Sequence, residues 1–409
     1  MATCGPASVW AVPLTPSYRE NKNVITAGWI LCLLLSAAIV PSTLSLYIFR
    51  LVRRSDQGSF PQIRPEQLPR LTIVVAARDE QQQIENALRS FLKCDYPDLR
   101  VIAVNDRSQD DTGRIMDRVA QDDARLEVQH INQLPAGWLG KNHALHIGAA
   151  AADSELLLFT DGDVVFGPNV LQRAVCTMLD HKLDHLSLTP GLITNGYCER
   201  VLVSSFAFLF SVGCQLWLIS SRLRWFYVGV GAFNLVRRDV YQAIEGHRRL
   251  KFDVLDDVKL GKCIKQSGYR QCLLTAADQL WVRWQQSAWG VIRGLEKNAF
   301  AAVDYQIWKS VLASLLICML AIVPFVCPLL LTGPQAQGFL ATALVLSLSY
   351  GVHSHVCGSG WSVAPALVGG GLGMLIALWR SAWITLRRGG VTWRDTFYPI
   401  RDLKANIYK

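Results

Sequence analysis

Two pairs of aspartates mark where metal-assisted or acid–base chemistry could occur in this chain. In LLLFTDGDVVF, Asp161 and Asp163 stand one residue apart at the end of an apolar run. Carboxylates that close repel unless a cation sits between them, and their hard oxygens suit Mg²⁺ or Mn²⁺ bridging a diphosphate. A solvated acidic turn is the ordinary alternative, and the context argues against it. VIAVNDRSQDDT brings Asp106 to another strand end, and DVLDDVKLGKCIKQSGYR follows with Asp256 and Asp257. Adjacent carboxylates resist double ionisation, which can raise one pKa toward the range useful to a general base. The same acids also suit the start of the helix VKLGKCIKQSG, where aspartate is favoured, and the two roles are compatible.

Positioning such residues needs a scaffold, and the chain supplies one between Leu71 and Asp163. Apolar runs LTIVVAA, LRVIAVND, LEVQHI and ELLLFTDGD alternate with helical stretches QQQIENALRSFL, DDTGRIMDRVAQ and GKNHALHIGAAAA. Strands that are apolar throughout and separated by helices predict an α/β unit with a mostly parallel sheet covered on both faces. Ligands of such sheets bind beyond the carboxyl ends of the strands. Those ends are charged here: Arg78, Asp79 and Glu80 close one strand, Asp106 a second, Asp161 and Asp163 a third.

The remainder is a membrane protein's composition. Of 409 residues, 51% are hydrophobic and 18% charged, and the apolar ones concentrate at the two ends. Val24 to Phe49 carry no charge and can span a bilayer, with Pro41 as a kink. Arg50, Arg53 and Arg54 follow directly, which argues against a signal peptide and places the next domain in the cytosol. The net charge of +9 thus reads as a cytoplasmic membrane face rather than a nucleic-acid surface. Eleven cysteines without a CxxC pair or zinc spacing fit no disulfide framework or structural zinc site. Val201 to Ser220 is apolar enough to cross, but one crossing there would strand LDDVKLG on the opposite side from TDGD, so an interfacial or packed helix is expected. Three apolar stretches follow Lys309, whereas a basic tail with Arg387, Arg388, Arg394, Arg401 and Lys404 on the cytosolic side needs an even number of crossings.

Taken together, these pieces resemble the family-two inverting glycosyltransferases, particularly membrane-bound members that glycosylate lipids, such as ceramide glucosyltransferases and hopanoid- and carotenoid-associated transferases. AARDE, VNDRSQDDT, PAGWLGKNHAL, TDGD, GAFNLVRRDVYQAIEGH, LDDVKLGKCIKQSGYR and VRWQQSAWGVIRGLEKNAFA occur in that order from about Leu71 to Phe300. The resemblance implies a GT-A catalytic domain, Rossmann-like with a mostly parallel sheet, facing the cytosol of the cell (inner or plasma) membrane and carried by several transmembrane helices. It places Ala77, Arg78 and Glu80 around the nucleotide base and ribose, with Asp106 accepting from uracil or ribose. It places Asp161 and Asp163 on a metal and the diphosphate, and has Lys141 neutralise phosphate charge. A solvated lysine at a helix start is the alternative for Lys141. Asp257, second of the Asp256–Asp257 pair, takes the place of the general base where the family usually has Glu-Asp. Gly231 and His247 fall on the acceptor side, His247 also reading as structural. Gln279 to Trp284 approximates a late motif with one residue too many, which speaks against a processive enzyme. Its Arg283 would assist the departing diphosphate or sit at the membrane surface.

The expected organisation is an extracytoplasmic segment at 1–23, a transmembrane helix at 24–50, the catalytic domain at 55–309 with an interfacial helix at 201–220, a transmembrane region at 310–386 and a cytosolic basic tail at 387–409. The expected partners are a nucleotide sugar, UDP-linked by resemblance, and a membrane lipid. A nucleotidyltransferase would carry a glycine-rich phosphate loop, which AARDEQQQ lacks. A noncatalytic scaffold would lack a metal or base carboxylate, and none is missing.

Overall fold

The computed structural model describes residues 20–48 and 67–408, apart from 395. The expected segment at 1–23, the arginines at 50, 53 and 54 and most of the linker therefore lie outside the described residues or at their margin.

The α/β domain is built on a seven-stranded sheet ordered β3-β2-β1-β4-β8-β6-β9. Its strands are β1 (Leu71–Ala77), β2 (Leu99–Asp106), β3 (Leu126–Ile131), β4 (Leu156–Asp161), β6 (His185–Thr189), β8 (Asn234–Arg237) and β9 (Gln271–Thr275). The first four are parallel, as their apolar runs and intervening helices predict. β8 runs antiparallel to both β4 and β6. Two small sheets complete the set: β5 (Val164–Phe166), β10 (Leu280–Val282) and β7 (Gly191–Leu192) form one, and β11 (Gly390–Trp393) pairs with β12 (Thr396–Pro399) in the other. Within Gln279–Trp284, Leu280–Val282 form strand β10, with Leu280 and Val282 buried beside β5 and β7 and Arg283 and Trp284 following it.

Apolar cores form on both sheet faces. Ile73, Val75, Val101 and Leu158 face one, and Val74, Ile102, Val104 and Leu157 face the other. This alternation buries both faces of the central strands, the condition for an all-apolar strand. Gly148 lets the helix Gly140–Ala151 settle on the sheet, since a Cβ there would lie 2.5 Å from Val74 Cγ1.

Three described helices are long and apolar enough to cross a membrane: Tyr197–Cys214, Ala336–Val356 within the helix Pro334–Val356, and the apolar segment Trp361–Arg388. A fourth candidate is the pair Ile307–Ala321 and Val323–Leu330, bent by 58° at a break next to Pro324. Among described side chains the first helix, Glu20–Ile48, has an apolar stretch from Trp29 to Ser45. Leucines 33, 34, 315, 316, 329, 330, 344 and 348 are exposed on these helices, an outer surface that suits hydrocarbon rather than water. β6 and β8 are partners in one sheet, so the segment carrying Tyr197–Cys214 starts and ends on the same side of the domain. The segment from Cys357 to Gly389 is likewise tied at both ends. Cys357 O accepts from Leu192 N at 3.3 Å, Tyr197 OH donates to Ser362 O at 3.1 Å, and Arg380 pairs with Glu296 at 2.7 Å. Glycines allow the close packing: a Cβ at Gly370 would lie 1.8 Å from Ser205 Oγ and one at Gly373 2.2 Å from Leu202 Cδ2, a small-residue contact of the kind that joins membrane helices.

One further approach fixes the site. The helix Asp256–Gln266 lies against the chain at Val228–Gly229, where a Cβ on Gly229 would be 1.8 Å from Asp257 O and one on Gly261 1.8 Å from Val228 O. Gly261→Ala is expected to lower stability by about 3 kcal/mol, the upper range for overpacking, despite the better helix propensity of alanine. Thermal unfolding in detergent reads this. Gly213→Ala, which meets nothing within 4 Å, should shift the midpoint little or upward, and equal midpoints for the two variants would refute the packing argument.

Candidate active site

Ala77, Arg78, Glu80, Asp106, Lys141, Asp161, Asp163, Asp256, Asp257 and Arg283, together with Gly231 but not His247, line a single cavity of about 1580 Å³ at the carboxyl ends of β1, β2 and β4. Its apolar extension runs between the helices, past Leu35, Phe206, Leu316, Leu320 and Met374.

At the mouth the loops after β1 and β2 are stitched together. Asp79 Oδ1 accepts from Gln109 N at 2.8 Å, and Glu80 N donates to Thr112 Oγ1 at 2.7 Å. Asp79 and Arg107 hold left-handed backbone, φ 54° and 58°, a conformation that costs non-glycine residues energy and concentrates at functional edges. Asp106 is buried and forked by Arg107 at 2.7 and 3.1 Å. Beside it Gly140 is required, because a Cβ would meet Asp106 Oδ2 at 2.2 Å.

Lys141, at the start of the helix Gly140–Ala151, ties the acidic residues together. Its Nζ lies 2.8 Å from Asp161 Oδ1 and 3.3 Å from Asp256 Oδ2. Burial opposes its charge, but Asp161, Asp256 and Asp257 outweigh that and push its pKa up. Asp161 is opposed by burial too, yet Lys141 holds its carboxyl below the usual range. Asp163 has no such cation in contact, and burial with the charges of Asp161 and Glu80 pushes it up to about 7. Gly231 separates the two acid pairs: a Cβ there would lie 2.6 Å from Asp161 Oδ2 and 3.2 Å from Asp257 Oδ2.

Asp256 and Asp257 open the helix Asp256–Gln266, whose N-cap is Leu255. They differ in surroundings. Asp256 is buried against Lys141, and burial leads the causes that raise its pKa. Asp257 faces the cavity with no ion-pair partner among the described residues, its Oδ1 accepting from Val258 N at 2.8 Å. Burial and the charge of Asp256 push it up to about 6.

A buried network sets this helix. Gln271 Nε2 donates to His185 Nδ1 at 2.7 Å and to Val228 O at 2.9 Å; His185 Nε2 donates to Asn234 Oδ1, and Asn234 Nδ2 to Asp257 O at 3.3 Å. Both imidazole nitrogens are committed in the neutral form, and burial lowers the His185 pKa to about 4. His247 is also buried, its Nδ1 bonded to Tyr241 OH at 2.9 Å and its ring against Phe159 at 4.8 Å; it lies behind the carboxylates rather than on an acceptor-facing wall.

Asp161 and Asp163 fit a divalent cation by donor chemistry: hard oxygens, with Asp163 held toward protonation by unrelieved negative charge. Among the described residues no three His, Cys, Asp or Glu side chains are grouped to hold an ion. The chain thus offers a carboxylate pair, and remaining ligands would come from phosphate and water, a common arrangement for Mg²⁺. Arg283 follows β10 with its Nε buried and without a hydrogen-bond partner, and Arg78 Nε lies 3.6 Å from Asp79.

The cavity also holds residues that sequence reasoning missed: Lys297, Trp393, Arg394 and Tyr398. The arginine had been read only as part of a basic tail and the lysine only as a letter in GLEKNAFA. Nothing local marks either as facing a carboxylate cluster.

Comparison with known proteins agrees with the motif order. A model described as glycosyltransferase like family 2 matches residues 69–304. The chain is 28% identical over 196 residues to 4,4'-diaponeurosporenoate glycosyltransferase from Staphylococcus aureus strains USA300 and NCTC 8325, covering 47% of this chain and 50% of the relative. It therefore spans about half the length of the curated relatives it matches. Among solved structures, mannosyltransferase PcManGT from Pyrobaculum calidifontis, in complex with GDP-Man and Mn²⁺, is 17% identical with a TM-score of 0.48, over 88% of this chain and 98% of that one. S. aureus TarS 1-349 in complex with UDP-GlcNAc is 15% identical with a TM-score of 0.39, over 81% and 96%. The family match takes in the whole central sheet and every acid of the cavity, so the chain belongs to glycosyltransferase like family 2.

Proposed function

We propose that this chain is an inverting glycosyltransferase that moves a sugar from a nucleotide-sugar donor, UDP-linked in this reading, to the hydroxyl of a membrane lipid. The observation that carries it is one cavity holding both acid pairs at its polar end and extending between apolar helices at the other. The relative's name, a diaponeurosporenoate glycosyltransferase, supports an apolar acceptor.

Arg78, Glu80 and Asp106 flank the nucleoside end, and Asp161 and Asp163 face the diphosphate. Mg²⁺ or Mn²⁺ held by that pair would neutralise the diphosphate and its leaving charge. Lys141, locked between Asp161 and Asp256, acts on phosphate through the geometry of the cluster rather than as a free cation. Asp257 is the base. It takes the acceptor hydroxyl's proton as oxygen bonds to the anomeric carbon and the bond to the diphosphate breaks on the opposite face. Asp256 is unsuited, being buried against Lys141; it positions that lysine. Arg283, which lines the cavity with no ion pair among the described residues, receives the departing diphosphate.

We place the catalytic domain in the cytosol at the cell membrane. Crossings are made by the helix at 20–48, by the bent pair from Ile307 to Leu330 and by Pro334–Val356. Tyr197–Cys214 and Trp361–Arg388 stay on the catalytic side, which reconciles three apolar C-terminal stretches with an even crossing count.

Asp257→Asn should lower turnover by about 10²–10⁴-fold, the usual worth of a general base, while UDP still binds in the presence of Mn²⁺. Asp163→Asn should lose both turnover and metal-dependent UDP binding. Calorimetry and a lipid glycosylation assay check this, and wild-type turnover in either variant would refute the assignment. For the topology, Thr332→Cys should react with an impermeant maleimide on intact cells. Labelling only after permeabilisation would place that turn on the catalytic side and overturn the crossing scheme.

A further inference from the structure

Past the last apolar helix the chain does not trail into solvent. β11 and β12 form a hairpin against the catalytic domain, with Val391, Tyr398 and Leu403 buried among Leu139, Val254 and Phe300. Tyr398 OH accepts from Gly140 N at 3.4 Å, next to Lys141. Beyond it Lys259 Nζ donates to Tyr408 O at 2.8 Å, and Tyr408 N to Asp253 Oδ2 at 3.2 Å. The hairpin lies outside residues 69–304, the part matched by the family model.

Its tip faces the donor end of the cavity. Arg394 sits at the turn with φ 45°, a left-handed conformation that hairpins usually give to Gly, Asn or Asp. Its guanidinium pairs with Glu80. Trp393 supports Lys297, whose Nζ lies 3.9 Å from the ring centroid. Among the described residues Lys297 has no carboxylate partner within ion-pair distance, yet it and Arg394 both act on Asp161 to stabilise its charge. An ammonium that lines the cavity with no ion pair among the described residues, and with Asp161 and Asp256 acting on it only at longer range, can take up an anionic ligand.

We propose that the Gly390–Pro399 hairpin completes the donor site, with Lys297 on Trp393 and Arg394 binding the donor's diphosphate, and Arg394 exchanging Glu80 for a phosphate oxygen when the donor enters. The inference rests on the nucleotide-sugar reading above. It gives the empty cavity a closed ion pair and the loaded one a released Glu80, free to accept from a sugar hydroxyl of the nucleoside. Burial, with the charge of Lys141, lowers the Lys297 pKa to about 8, while Asp161 and Asp256 act in the opposite direction.

The test is calorimetry on the full-length chain in detergent with Mn²⁺, comparing UDP with uridine and GDP with guanosine. Lys297→Met and Arg394→Ala should each weaken the bound diphosphate about 10- to 100-fold, the range for a hydrogen bond to a charged group. Nucleoside affinity should stay within about twofold, and Lys297→Arg should restore most of the loss. Unchanged diphosphate binding in both variants would overturn the proposal. Equal weakening of nucleoside and diphosphate would also overturn it, since that marks a purely structural hairpin. Absence of any nucleotide binding by the unmodified chain would instead sink the donor reading itself, and this inference with it.

Discussion

Four aspartates converge on one cavity, and a single ammonium, Lys141, touches two of them at 2.8 and 3.3 Å. Charges of one sign gathered away from bulk water repel strongly, and the architecture around them manages that repulsion. Lys141 neutralises the middle of the cluster. Burial raises the pKa values of Asp163, Asp256 and Asp257, helped by the charges of neighbouring acids, while Lys141 holds that of Asp161 down.

Holding the cluster requires close approach of main chain, which is why glycines recur around it. Gly140 makes room for Asp106, Gly231 for Asp161 and Asp257, and Gly229 with Gly261 lets the helix bearing the base lie on its support. Behind them the His185–Asn234–Gln271 network fixes the same helix from inside the sheet. Every member of that network is committed to a neutral, fully bonded state, and such buried polar groups specify one arrangement because any other leaves donors orphaned.

Much of this was legible in the sequence. The run LLLFT ending in Asp161 and Asp163 announced a strand with acids at its cavity end, since apolar periodicity and terminal charge are both local signals. Asp257 emerged from motif order. Contacts between remote segments were not legible. The pairing of Lys141 with Asp256 joins a helix start to a distant helix start, and Arg394 meets Glu80 from 314 residues away. The tail arginines carry a topological signal in their composition that conceals the place of Arg394 in the cavity wall. Hydropathy also cannot show that the whole segment carrying Tyr197–Cys214 begins and ends at one edge of the sheet, which the pairing of β6 with β8 sets. Leu280–Val282, just before Arg283 and Trp284, is a strand because it pairs with β5 and β7, neighbours that a linear reading does not show.

The apolar wall of the cavity has a kinetic meaning of its own. Phe206, Leu316, Leu320 and Met374 come from helices apolar enough to cross a membrane, so under the proposed lipid acceptor one reactant arrives by lateral diffusion while the nucleotide arrives from water. Two reactants then obey different concentration scales. The nucleotide counts in moles per litre, whereas the acceptor counts as a mole fraction of the bilayer. Adding inert phospholipid at constant total acceptor therefore slows the enzyme as surely as removing substrate.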